Sequence, residues 1–155
     1  MKLTTRQDVE APIEEVFAAL TDFDSFERAA LRRGADVVQL DDTTGVGQEW
    51  RVAFDFRGKR RQLTLRLVEL DLPTLLRFQG TARSLDGDLS LNLVALARRR
   101  TRMSISLDIT PKGLPARIFM QSLIFVRGRI NDRFAKRVRL FATTIEDRLR
   151  KPTLG

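Results

Sequence analysis

The fold class follows from residues 89–109, which read LSLNLVALARRRTRMSISLDI. Apolar side chains occupy every second position on both sides of the arginine cluster, and most of the side chains between them are polar. Alternation with a period of two is typical of strands that bury one face. A turn at Arg99-Arg100-Thr101 would pair the two halves as an antiparallel hairpin. This hairpin would have one apolar and one polar face, so we expect a sheet covered on one side only.

The same alternation predicts five further strands. Three are clear, around Trp50–Phe56, Leu63–Leu70 and Leu76–Phe78, and the adjacent Leu67-Val68 shifts the phase as a β-bulge would. Two are weaker, Lys2–Glu10 and Ala35–Leu40. We predict turns between the successive clear strands at Arg57-Gly58-Lys59, Leu72-Pro73-Thr74 and Asp86-Gly87-Asp88.

Helices are predicted in two places. Between the two weaker strands, Pro12 opens a first short helix, and Asp24 would cap a second one that ends before Gly34. After Lys112-Gly113, the apolar spacing changes to three and four residues and stays so for about thirty residues. A helix of that length extends about 45 Å and can cross a whole sheet. Its predicted apolar stripe consists of Phe119, Leu123, Val126, Ile130, Phe134, Val138, Phe141, Ile145 and Leu149.

The composition predicts one globular domain covering residues 1–155 and narrows its chemistry. The chain has 155 residues, a net charge of +8 and no Cys, His or Tyr. It therefore lacks disulfides, thiolate and imidazole metal ligands, and the usual nucleophile–base pairs. No metal or cofactor is predicted, and any catalysis would depend on carboxylates, Arg, Lys or water. The first residues contain no apolar signal region, so we expect a cytoplasmic protein.

Charge is unevenly distributed along the chain. Residues 1–55 hold 6 basic and 12 acidic side chains, whereas residues 56–155 hold 22 basic and 8 acidic ones. A solvated surface is one interpretation, and a surface that attracts anionic lipid or an acidic partner is the other. The clusters Lys59-Arg60-Arg61 and Arg98-Arg99-Arg100 fall in turns at opposite ends of a meander. They also lack neighbouring aromatic side chains, which argues against nucleic-acid binding.

Three motifs accompany this order of elements: Val9-x-Ala11-Pro12-x-x-x-Val16-Phe17-x-x-Leu20-x-Asp22, Gly45-x-Gly47-x-x-Trp50, and Lys112-Gly113-Leu114-Pro115. With them, the chain resembles the START-like (SRPBCC) superfamily of Bet v 1 allergens and bacterial polyketide cyclase and lipid-transport proteins. The resemblance implies an α+β helix-grip fold, in which a seven-stranded curved antiparallel sheet surrounds a long C-terminal helix. It also implies a hydrophobic cavity between sheet and helix, which in this superfamily binds lipids, quinones, polyketides or hormones.

If the apolar strand faces point inward, they form the walls of that cavity, with Val52 and Leu107 among them and Val126 on the closing helix. Gln7, Arg127 and Asn131 are the few polar groups available to orient a ligand. The predicted ligand-binding residues are Gln7, Trp50, Phe54, Phe56, Leu65, Phe78, Leu91, Ile105, Leu123, Arg127, Ile130, Asn131 and Phe134.

We therefore predict a non-enzymatic protein that binds or transports a small hydrophobic ligand. A weak contact with an anionic membrane is compatible with this function. A basic module that binds RNA, the ribosome, an anionic membrane or an acidic protein is the alternative. A polyketide cyclase-like enzyme is the third hypothesis, weakened by the absence of His and Tyr.

Overall fold

The strands form one seven-stranded antiparallel sheet, and the predicted helix-grip α+β fold is confirmed. The computed structural model describes residues 1–150, in which the strand order is β1-β7-β6-β5-β4-β3-β2. Strands β2 to β7 form a meander, and β1 closes against β7. The strands are β1 (Lys2–Val9), β2 (Asp36–Gln39), β3 (Glu49–Phe56), β4 (Lys59–Asp71), β5 (Leu75–Ala82), β6 (Leu85–Ala97) and β7 (Arg100–Pro111).

Of the four predicted turns, two are confirmed, one is wrong and one is shifted. The turn predicted at Arg99-Arg100-Thr101 lies at residues 98–99, because β7 already begins at Arg100. Arg57 and Gly58 both have positive φ at the β3–β4 turn, as a tight two-residue hairpin requires. The Leu72-Pro73-Thr74 turn also lies where the sequence predicts it. Asp86-Gly87-Asp88, however, lies within β6, where Gly87 pairs with Gly80 and Ile109. The actual β5–β6 turn is at residues 83–84, because both strands extend beyond their apolar positions.

The predicted bulge in β4 is confirmed. The register against β5 shifts between Leu67 and Glu69, so one extra residue enters the strand there. The extra residue lets both Leu67 and Leu70 contribute to the core, although an uninterrupted strand would direct them to opposite faces.

Two short helices connect β1 to β2, namely α1 (Ile13–Leu20) and α2 (Phe23–Arg32). Helix α1 buries four side chains against the sheet, whereas α2 buries none completely. The N-cap of α2 is Asp22, whose carboxylate accepts a hydrogen bond from the Ser25 backbone N–H at 3.3 Å. The cap therefore lies two residues before the predicted Asp24.

The C-terminal segment is helical from residue 114 to residue 150, but it is not one regular helix. It consists of α3 (Leu114–Ser122), a 3₁₀ turn (Leu123–Val126) and α4 (Arg127–Arg150). Helix α4 lies along β1 and buries Val138, Ala142 and Ile145, whereas α3 buries no side chain. The predicted continuous stripe is thus correct for α4 and wrong for α3, since the 3₁₀ turn interrupts the helical phase.

Candidate functional site

An apolar cavity of about 570 Å³ lies between the sheet, α2 and α4. It forms because α4 lies along β1 at one edge of the sheet, whereas α2 contacts β2 at the other edge and has no fully buried residue. The inward faces of β2 to β7 are therefore only partly covered. The cavity is lined by Leu20, Phe23, Phe26, Glu27, Ala30, Val37, Trp50, Val52, Leu65, Leu76, Phe78, Leu89, Leu91, Ile105, Phe134, Arg137, Val138 and Phe141.

Helices α2 and α4 run antiparallel along one side of this cavity. The start of α2 is bound to the end of α4, because the Arg148 guanidinium donates hydrogen bonds to the Asp22 carboxylate and to Ser25 Oγ. One turn further along α2, the rings of Phe26 and Phe141 are 5.8 Å apart. Beyond these contacts, the lining includes the half-buried Glu27 and Ala30 on α2 and the exposed Arg137 on α4, and we call this part of the cavity its mouth.

Among residues 1–150, the charged side chains that line the cavity are the two at its mouth, Glu27 and Arg137. Glu27 is half-buried and accepts a hydrogen bond from Trp50 Nε1 at 2.9 Å. Arg137 is exposed, and within the described chain no carboxylate pairs with it. The wall is otherwise apolar, so a bound molecule would meet hydrogen-bonding side chains at one end only.

Three aromatic rings of the cavity wall pack against one another next to Glu27. The Phe23 ring packs edge-on against Trp50, with centroids 5.1 Å apart, and edge-on against Phe78 at 6.1 Å. Trp50 and Phe78 are themselves 6.3 Å apart. Edge-to-face pairs of this kind contribute about 0.5–1.5 kcal/mol beyond the area they bury. The three rings thereby join α2, β3 and β5 in the cavity wall.

The structure places six of the predicted ligand-binding residues around this cavity. They come from five strands and from α4, and they are Trp50, Leu65, Phe78, Leu91, Ile105 and Phe134. Val52, predicted as a wall residue, also lines it.

The other seven predicted residues lie outside the cavity, as do Leu107 and Val126. Phe54 and Phe56 have the inward phase but lie near the free end of the β3–β4 hairpin, where the Phe56 ring is beneath the guanidinium groups of Arg57 and Arg61. Gln7 does not line the cavity because it lies on β1, at the opposite edge of the sheet, where α4 covers that strand. Upstream of Phe134 the helical segment extends beyond the cavity, which leaves out Leu123, Arg127, Ile130 and Asn131.

Several lining residues were missed at the sequence level, including Phe23, Phe26, Glu27 and Arg137. On α2, a spacing signal existed, because residues 23, 26, 27 and 30 lie on one helical face. On α4, Arg137 lies three residues after Phe134 and four before Phe141, so it borders the apolar stripe. Which edge of that stripe faces the cavity depends on how the helix sits on the sheet, and the sequence pattern does not contain this information.

The basic clusters are partly neutralised by ion pairs. Arg60 pairs with Asp55 at 3.3 Å and with Asp36. At the other end of the sheet, Arg100 and Arg102 pair with Asp8 at 3.1 Å and 2.9 Å. The hydrogen bond from Arg102 is the main reason that the pKa of Asp8 lies below its ordinary value. Neither cluster therefore presents all its arginines to an external anion. The prediction that both clusters lack neighbouring aromatic side chains is wrong for Arg61, whose guanidinium lies 5.6 Å from the centre of the Phe56 ring.

The contact between Arg148 and Asp22 predicts a pH dependence. The hydrogen bond from Arg148 holds the pKa of Asp22 below its ordinary value. The ionised carboxylate therefore stabilises the folded state at neutral pH, and this contribution is lost as pH falls below about 3.9 and through the folded-state pKa. We expect Arg148→Gln to lower the free energy of unfolding by about 0.2–1 kcal/mol at neutral pH. In acid the difference from the wild type should disappear.

Urea unfolding of both proteins at neutral and acidic pH measures this difference. Arg139→Gln is the matched control, because Arg139 is exposed on the same helix and forms no ion pair within residues 1–150. An Arg148→Gln effect of equal size at both pH values would show that the side chain stabilises α2 by packing and not by its charge.

Comparisons with known proteins agree with this architecture. A family model described as polyketide cyclase / dehydrase and lipid transport matches residues 1–146. No curated protein sequence matches the chain. In the part of the chain that the structure describes, no helix is both long enough and apolar enough to cross a membrane.

Solved structures with low sequence identity share the fold. The Zhui aromatase/cyclase from Streptomyces sp. R1128 superposes with a TM-score of 0.69 and 19% identity, covering 97% of this chain and 96% of that one. The protein TTHA0849 from Thermus thermophilus gives a TM-score of 0.64 at 18% identity, covering 96% of each chain. A START superfamily protein from Mycobacterium smegmatis gives 0.54 at 13%, covering 85% of this chain and 95% of that one.

Proposed function

Because this chain belongs to the family of polyketide cyclases, dehydrases and lipid-transport proteins, we propose that it binds or carries a small hydrophobic ligand in the cavity between the sheet, α2 and α4. The observation that carries the proposal is the apolar wall, with Glu27 and Arg137 as charged groups at its mouth. At roughly 25 cal/mol per Å² of apolar surface removed from water, such a wall favours an apolar molecule strongly.

Glu27 and Arg137 determine the orientation of the proposed ligand in the cavity. Its apolar body would fill the interior, and its polar end would remain near Glu27 and Arg137. A guanidinium group binds carboxylate and phosphate well because its N–H groups match their paired oxygens. Arg137 therefore favours a ligand whose anionic group lies on the α4 side of the mouth, away from the Glu27 carboxylate that accepts the Trp50 N–H.

Binding is supported better than catalysis by the same set of residues. Within residues 1–150, Glu27 is the one carboxylate that lines the cavity, and no Lys, Ser or Thr side chain accompanies it there. A cyclase reaction would need this one carboxylate to act as both acid and base, without a second titratable partner from the described wall. The aromatase/cyclase similarity concerns the fold and does not add such a partner.

We expect delipidated protein to bind both laurate and dodecanol, with laurate bound more tightly. The measurement is displacement of the neutral dye N-phenylnaphthylamine, whose emission increases in an apolar site, followed by native mass spectrometry of the complex. A one-to-one complex with either molecule would support the proposal. If the dye does not bind and neither complex forms, the proposed function is wrong.

Replacing Arg137 tests the proposed contact with the polar end of the ligand, separately from binding of its apolar body. We expect Arg137→Leu to weaken laurate binding about tenfold, because one charge-assisted hydrogen bond at a solvent boundary is lost. Dodecanol binding should change little, since the alcohol carries no charge. Arg133→Leu is the control, because Arg133 is exposed one turn earlier on α4 and does not line the cavity. Equal losses for laurate and dodecanol would contradict the orientation but not the cavity.

A further inference from the structure

Helix α3 and the 3₁₀ turn expose an unusual amount of apolar surface. Phe125 is 91% exposed, Leu114 is 68% exposed and Ile124 is 63% exposed, and Ile118 and Phe119 are also exposed. We call these five side chains the apolar ridge. Soluble proteins rarely leave such large side chains uncovered in one continuous segment, and where they do, the surface usually binds a partner or a membrane.

The apolar ridge is surrounded by positive charge from its own segment. Residues 112–131 contain Lys112, Arg117, Arg127 and Arg129 and no acidic residue. Among the ion pairs of residues 1–150, none involves Arg117, Arg127 or Arg129. These three guanidinium groups therefore differ from those of Arg60, Arg100 and Arg102, which are already paired with carboxylates of the fold.

The β3–β4 hairpin adds further cationic groups to the same edge. The Arg57 guanidinium lies 5.8 Å from the centre of the Phe119 ring and 5.5 Å from that of Phe56. The exposed Phe56 ring is thereby continuous with the ridge, and Arg61 lies over it at 5.6 Å. Apolar rings and arginines thus alternate across two separate elements of the fold.

We propose that the apolar ridge docks this protein onto an anionic lipid bilayer. The apolar side chains would enter the boundary between headgroups and acyl chains, while the arginines would bind the phosphates above them. Charge selects this occupant over a second copy of the chain, because a symmetric contact would bring the same cationic groups together. The proposal does not depend on the cavity, since none of the ridge residues lines it.

Vesicle flotation tests the proposal. Wild-type protein is expected to bind vesicles that contain phosphatidylglycerol and to bind pure phosphatidylcholine vesicles at least tenfold more weakly, with affinity falling as salt rises. The double variant Ile124→Ser/Phe125→Ser should lose at least tenfold in affinity for the anionic vesicles. Because both side chains are exposed, it should remain folded. Arg127→Ala and Arg129→Ala should each weaken binding roughly fivefold.

Leu140→Ser is the matched control, because Leu140 is an exposed apolar residue on α4 outside the ridge. It should bind anionic vesicles like the wild type. A Phe125→Trp variant reports insertion directly, since its emission should shift to shorter wavelength on vesicles and be quenched by brominated acyl chains.

Three results would overturn the proposal. The first is a wild type that does not float with anionic vesicles. The second is an Ile124→Ser/Phe125→Ser variant that binds as well as the wild type. The third is a wild type that forms a dimer through the ridge, detected by sedimentation as self-association that the double variant abolishes.

Discussion

Replacing Trp50 with alanine is expected to lower the free energy of unfolding by about 3–5 kcal/mol. Trp50 is only 4% exposed, and its ring contacts both Phe23 and Phe78. Its indole N–H also bonds the Glu27 carboxylate at 2.9 Å. The substitution would remove the contact that joins β3 to α2. For a domain of this size the melting temperature should fall by roughly 10 °C.

Chemical denaturation of the wild type, Trp50→Phe and Phe56→Ala separates the contribution of the Trp50 hydrogen bond from that of its ring packing. Trp50→Phe retains an aromatic ring but removes the N–H donor, so it should cost about 1 kcal/mol for the lost hydrogen bond together with a smaller packing loss. Phe56→Ala is the control from the same strand, because Phe56 is exposed at the hairpin end and should cost much less. If Trp50→Ala and Phe56→Ala were equally destabilising, Trp50 would not be the residue that secures α2.

The fold was predictable because local pattern and tertiary burial agree along most of this chain. One face of the sheet is covered and the other is solvated, so alternating apolar residues such as Leu91, Leu93, Met103 and Ile105 identify the strands directly. Even the bulge at Leu67 is visible as a change of phase, since the core needs side chains on both sides of it.

Only part of the cavity lining could be predicted. A residue lines the cavity only if its side chain faces inward and if it also lies at the right position along its strand. Trp50, Val52, Phe54 and Phe56 share one face of β3, yet only the first two line the cavity. The other two extend past it toward the hairpin end. Position along a strand is set by where the helices cross the sheet, which no residue in β3 specifies. For the same reason, the sequence pattern favoured Arg127 at the start of α4, whereas the arginine that lines the cavity is Arg137.

The helical break at residues 123–126 was not predicted because the apolar spacing continues through it. Leu123 and Val126 remain half-buried, so the sequence pattern is satisfied whether the backbone is α-helical or 3₁₀. Their neighbours Ile124 and Phe125, which the predicted stripe did not include, are exposed. Of the predicted stripe, only Phe119 is exposed in the fold, so the spacing was misleading at that one position.

Filling the cavity mouth is expected to reduce binding of an apolar ligand by a large factor while leaving the fold intact. Ala30 lines the mouth on α2, where the helix packs loosely, so Ala30→Trp can place its indole in the open space without displacing a core side chain. If the indole prevents about 100 Å² of ligand surface from being buried, the loss is about 2.5 kcal/mol, or roughly seventyfold in affinity. Displacement of N-phenylnaphthylamine by dodecanol measures it.

The neighbouring residue provides the control for this variant. Ala29 is half-buried on the same helix but does not line the cavity, so Ala29→Trp adds the same ring at a different helical position. It should bind dodecanol within about threefold of the wild type, a difference of less than about 1 kcal/mol. Loss of binding in Ala30→Trp alone would locate the ligand inside the cavity. Unchanged binding in a folded Ala30→Trp protein would mean that the ligand occupies another surface, because an indole at residue 30 and a ligand chain filling the cavity cannot share the mouth.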